Sequence, residues 1–102
     1  MLKRKRKPTS PGEILLAEFL MPMKLTQKQL ADHIGCDVKV INRVVNGRTS
    51  VTAETAVKLA AALRTTPDFW LNAQKAVDLF EAEQRLGKRL PRPLESGHIV
   101  AG

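Results

Sequence analysis

From Pro11 to Leu86 the apolar residues recur three and four apart, in five runs separated by polar corners. That is the period of helices that bury one face. Ile14, Leu15, Leu16, Phe19 and Leu20 form the first run. Ser10 precedes it as a cap, Pro11 suits the first helical position, and Glu13 can close a capping box. Pro22 is expected to end this helix, leaving Met21, Pro22 and Met23 as a connector. Leu30, Ala31 and Ile34 mark the second run, opened by a Thr26–Gln29 box and closed by Gly35, where the chain must swing to positive φ. Val40, Ile41, Val44 and Val45 mark the third, capped by Asp37 and ended at Gly47. Ala56, Val57, Leu59, Ala60 and Leu63 give a narrow stripe behind the cap Thr52, with Glu54 in the favourable first turn. The last helix opens with Thr66, Pro67 and Asp68 and should stop before Gly87.

The second and third runs, Leu25 to Arg48, have the spacing of a helix-turn-helix. Ala31 is small where two helices must cross closely, Gly35 places the turn four residues on, and Ile41 and Val44 fall where the second helix packs back. An αα-hairpin with no nucleic-acid role is the alternative. The outward face of the second helix favours DNA. With Val40, Ile41, Val44 and Val45 turned in, Val38, Lys39, Asn42 and Arg43 point away. Arginine can bond guanine O6 and N7 together, asparagine does the same for adenine, and an apolar side chain can meet the thymine methyl. Thr26, Gln27, Asn46 and Arg48 flank that face and are candidates for the phosphate backbone, together with the first N–H groups of the Gln27 helix.

Composition sharpens this. The 102 residues carry 17 Lys and Arg against 10 Asp and Glu, a net charge of +7. A chain this basic commonly meets phosphate. Lys3, Arg4, Lys5, Arg6 and Lys7 supply much of the excess, so residues 1–9 read as a flexible basic arm and the remainder is only mildly basic. The arm could touch phosphates or a minor groove, act as a localisation-like run, or stay solvated. The single cysteine, Cys36, forbids an internal disulfide and fits a reducing cytoplasm; in the inter-helix turn it reads as a small half-buried filler. No apolar run reaches membrane-spanning length, and no hydrophobic signal core follows the basic start. His33 and His98 each stand alone, so no metal ligand set forms. No nucleophile–base pair or glycine-rich phosphate loop stands out either, and neither an enzyme nor a cofactor is expected.

The last helix is more apolar than one core face requires. Phe69, Ala73, Ala76, Val77 and Phe80 make one stripe, with Trp70, Leu71 and Leu79 partly off it. These residues either cover the edge of a small core or form a self-association surface, with Phe69, Trp70, Leu71, Val77, Leu79 and Phe80 as the dimer contacts; the interface reading is preferred. A symmetric dimer would set two recognition helices one DNA turn apart on a palindromic operator. Residues 10–84 are thus read as the DNA-binding domain with its dimerisation helix, and 85–102 as an irregular tail.

The segments PGEILLAEFL, LTQKQLADHIG, INRVVNGR, TAETAVKLAAAL and TTPDFWLNAQ together resemble the HigA-type, or VapI-like, antitoxins of the Xre helix-turn-helix class. The resemblance spans roughly Pro11 to Leu79. It implies an all-α, five-helix, lambda-repressor-like fold that dimerises. It also implies an antitoxin that binds a RelE-like, mRNA-cleaving ribonuclease toxin and represses its own operon; a stand-alone Xre-type repressor without a toxin is the alternative. The family's base-reading positions fall on Val38, Lys39, Asn42 and Arg43, and its phosphate positions on Gln27 and Asn46. Asp78, Glu81 and Glu83 could meet a basic toxin or be a solvated face. The chain departs from many relatives at Ser10, where they carry histidine before the proline.

Overall fold

A computed structural model describes residues 6–95. Among them the chain forms five helices and no strand. The first, α1, is built of Pro11–Ile14, a π-helical stretch Leu15–Leu20 and a closing turn Met21–Met23. Then come α2 (Gln27–Ile34), α3 (Val38–Val45), α4 (Ala53–Leu63) and α5 (Pro67–Leu86), followed by a single 3-10 turn, Gly87–Arg89. Lys3, Arg4 and Lys5 of the basic arm, and His98, lie outside the described residues.

Most boundaries are set by local chemistry. The Ser10 hydroxyl accepts from the Glu13 N–H at 3.1 Å while the Glu13 carboxylate accepts from the Ser10 N–H at 3.3 Å. Thr26 and Gln29 make the same reciprocal pair at 3.0 and 2.9 Å. Asp37, Thr52 and Thr66 cap the other three helices. Gly35 and Gly47 take φ of +72° and +69°, values that carry no steric penalty for glycine.

The end of α1 differs from expectation. Pro22 does not stop it; the helix runs on to Met23 and turns off at Lys24, a left-handed residue with φ of +55°. A proline ring within a regular α-helix meets the carbonyl four residues back. Here the ladder has already widened, because the Met21 N–H donates to the Leu16 carbonyl five residues back. The wider π turn lets the backbone pass through Pro22 without breaking.

The core gathers Leu15 and Leu20 of α1, Leu30 and Ala31 of α2, Ile41 and Val44 of α3, Val51, four residues of α4, and Trp70. Trp70 corrects an expectation. Read as a dimer contact, it is 0 % exposed. Its indole N–H donates to the Thr65 hydroxyl at 2.7 Å, and Phe19 and Phe69 pack on its ring with centroids 5.5 and 5.1 Å away. A buried indole with its one donor satisfied is a core anchor. Val77, also assigned to the interface, is 7 % exposed and has no surface to offer. Val57, placed in the α4 stripe, faces water at 55 % exposure. Ala56, Leu59, Ala60 and Leu63 already fill the helix's inner face, and Val57 lies a quarter turn off it.

One close approach ties α1 to α3. A Cβ on Gly12 would overlap the Val44 carbonyl oxygen and stand 2.7 Å from the Val45 carbonyl oxygen and 2.8 Å from the Val45 Cα. The first turn of α1 therefore lies directly on the backbone at the end of α3.

Candidate nucleic-acid interface

Helix α3 is held on three sides and open on the fourth. Asp37 caps its start, the carboxylate accepting from the Lys39 N–H at 2.8 Å. Ile41 and Val44 are buried, and Val40 and Val45 half-buried. Its end is a double-bonded turn: the Arg48 N–H donates to the Arg43 carbonyl at 2.8 Å and the Gly47 N–H to the Val44 carbonyl at 3.1 Å. This glycine-centred closure satisfies the last carbonyls and folds the chain back beside the helix. Val38, Lys39, Asn42 and Arg43 are all exposed.

Arg48 is carried by that turn into line with the outward face. Gln27, Val38, Lys39, Asn42, Arg43, Arg48 and Thr49 line one open concavity of about 580 Å³. It brings together all four expected base-reading residues and two of the four expected phosphate residues. The other two sit differently. Asn46 lies around the end of α3, its amide bonded to Asn42. Thr26 is outside the lining; its N–H and its hydroxyl oxygen are engaged with Gln29, leaving the hydroxyl proton to donate. Thr49 also lines the concavity, although it was not among the expected contacts. Its signal is its place directly after the glycine closure.

The polar groups are linked. Asn42 donates from Nδ2 to Gln27 Oε1 at 3.1 Å and accepts on Oδ1 from Asn46 Nδ2 at 3.3 Å. An asparagine amide has two donor protons and two acceptor lone pairs, so one of each remains for a base edge, with the plane of the amide already set. Gln27 thus does more than the backbone contact expected of it: it also orients Asn42. Around this chain stand Lys39, Arg43 and Arg48. The ion pairs of the described residues are Lys7–Glu81 and Lys28–Asp32, and neither uses these three cations.

The dimer candidates divide. Besides buried Trp70 and Val77, Leu71 packs on the core and Phe80 is half-buried. Phe69 and Leu79 are 41 % and 47 % exposed. Cys36 packs against the core; burial pushes its thiol up, Lys58 opposing the effect and Asp37 adding to it, so it is a neutral thiol at pH 7. Among the described residues no three His, Cys, Asp or Glu side chains converge as a metal site. Among the same residues no helix is long and apolar enough to cross a membrane.

Residues 16–70 match the family model described as helix-turn-helix. Antitoxin HigA-1 of Vibrio cholerae is 49% identical over 85 residues, covering 83% of this chain and 80% of that protein. The solved antitoxin GraA in complex with its operator superimposes with a TM-score of 0.81 at 37% identity, covering 93% of this chain and 100% of that one. Pseudomonas aeruginosa antitoxin HigA, solved with the higBA promoter, gives a TM-score of 0.81 at 30% identity, covering 88% of this chain and 98% of that one. All three of these relatives are named as antitoxins, and two were solved with operator or promoter DNA.

Proposed function

This chain belongs to the HigA-type antitoxins of the Xre helix-turn-helix class, and from that premise we propose that it represses its own operon and neutralises a RelE-like ribonuclease toxin. The observation that carries the DNA half is the concavity on α3, where Lys39, Arg43 and Arg48, free of the ion pairs of the described residues, surround an oriented Asn42. Cations on this face draw the duplex in, and the Asn42 amide is already held by Gln27 and Asn46 before a base edge arrives. Arg43 and Asn42 are assigned to base edges, with Val38 on a thymine methyl and Lys39 beside them. Gln27, Asn46, Arg48 and the Thr26 hydroxyl are assigned to the backbone.

A homodimer on a palindromic operator follows from the same reading, with Phe69, Leu79 and the half-buried Phe80 on the outer side of α5 as the contact. The solved relatives bound to an operator or promoter support the DNA assignment, and the identity to HigA-1 supports the toxin. The test is co-expression with the neighbouring gene. Rescue of growth, co-purification, and a shifted band on the chain's own promoter are expected. A shift without rescue would leave a stand-alone repressor; rescue without a shift would remove the DNA role.

A further inference from the structure

We propose that Gln74, on α5, is a positioning residue for DNA binding: it sets the loop that carries Arg48 and Thr49 against the duplex. The inference rests on the reading above, in which that loop touches the DNA backbone.

Val51 is 4 % exposed and precedes the cap of α4, so its N–H has no helical partner. A buried backbone N–H without an acceptor is strongly unfavourable. The acceptor comes from 23 residues away: Gln74 Oε1, at 2.9 Å. Gln74 is itself held, since its Nε2 donates to Asp78 Oδ1 at 2.9 Å, one turn further along α5. The amide cannot be reversed, because the Val51 N–H requires an oxygen and the Asp78 carboxylate requires a donor. A half-buried side chain on α5 is thereby locked at both ends.

The loop it grips is thin. Its near end is pinned by the Arg48 N–H bond to Arg43, its far end by the Val51 bond to Gln74. Only Thr49 and Ser50 lie between. Arg48 and Thr49 line the DNA-facing concavity. Both residues also line a cavity of about 330 Å³, together with Gln74 and Asp78. The loop is thus shared between the proposed backbone contact and the cavity beside α5. Glu81, a further turn along, holds Lys7 of the arm at 3.7 Å. The Gln74, Asp78 and Glu81 edge of α5 therefore touches both the loop that carries Arg48 and the basic arm at Lys7.

The experiment measures affinity and salt dependence on a duplex from the chain's own promoter, with Gln74→Leu made alone and in an Arg48→Ala background. Gln74→Leu is expected to weaken binding about fivefold, the equilibrium value of one ordinary hydrogen bond. It should also flatten the log–log salt slope by about one backbone contact. In the Arg48→Ala background it should add almost nothing, which a general loss of stability would not reproduce. The pair Gln74→Glu with Asp78→Asn keeps an acceptor for Val51 and exchanges donor and acceptor along α5; it should bind better than Gln74→Glu alone, and this arm stands even if Gln74→Leu fails to fold. Parent affinity and slope in Gln74→Leu, an equal loss in both backgrounds, or no rescue by the pair would each overturn the proposal. If Arg48→Ala itself binds as the parent does, the backbone contact of the loop is refuted, and the positioning role falls with it.

Discussion

Gly12→Ala should destabilise this fold, against the usual trend for glycine in a helix. Alanine in a helix interior gains about 0.5–1 kcal/mol over glycine. At position 12 the added methyl has no room, since its near neighbours are the Val44 and Val45 carbonyl oxygens and the Val45 Cα, all backbone. No side chain can rotate away, so the first turn of α1 must back off the end of α3. Overpacking of this kind costs about 1–3 kcal/mol. With the intrinsic gain subtracted the difference spans about 0–2.5 kcal/mol. Because every near neighbour is unyielding backbone closer than 3.0 Å, its upper part, about 1–2.5 kcal/mol, is expected, or roughly 4–20 °C in Tm for a domain of this size. Gly47→Ala is the comparison: it meets nothing within 4 Å but must hold φ of +69°, at about 1–2 kcal/mol. Thermal and urea unfolding followed by circular dichroism would measure both. The signature of the clash is a loss in Gly12→Ala that Gly12→Ser deepens. A Gly12→Ala chain as stable as the parent, or more so, would refute the close approach of α1 to α3.

Other consequences can be measured as directly. Arg64→Gly should raise Tm by a few degrees, because Arg64 ends α4 at φ of +57° and relief of about 1–2 kcal/mol outweighs the entropy glycine adds; a lower Tm would contradict this. Alkylation of Cys36 near pH 7 should be slower in the folded chain than in urea, since burial raises its pKa and shrinks the thiolate fraction; equal rates would show an unperturbed thiol. Leu79→Asp should shift sedimentation toward the monomer while leaving helicity intact, since Leu79 is 47 % exposed; an unchanged sedimentation profile would place the dimer contact elsewhere.

What was legible in the sequence was local. The two capping boxes, Ser10–Glu13 and Thr26–Gln29, are closed by residues three apart, and Gly35 and Gly47 declare their backbone angles wherever they stand. Five helices and the outward set on α3 follow from these and from the 3.6-residue period. What was not legible depends on partners far along the chain. Gly12 reads as a helix start until Val44 and Val45 arrive against it. Nothing in the residues around Gln74 marks it until Val51, 23 residues away, needs an acceptor. Trp70 was misassigned because the apolar arc of α5 is too broad to show which part faces inward. That is decided by Phe19 and Thr65, one on another helix and one in the preceding turn. Pro22 was misread because the π widening upstream of it leaves no mark in the hydrophobic period.

The central claim is that the open face of α3 reads base edges, and Arg43→Ala tests it most directly when titrated against the operator, single-base operator variants and unrelated duplex at one salt concentration. The account predicts a loss of about 1–3 kcal/mol on the operator with preference relaxed at one base pair, while unrelated duplex is bound nearly as before. Unchanged operator affinity, or an equal loss on every duplex, would contradict it.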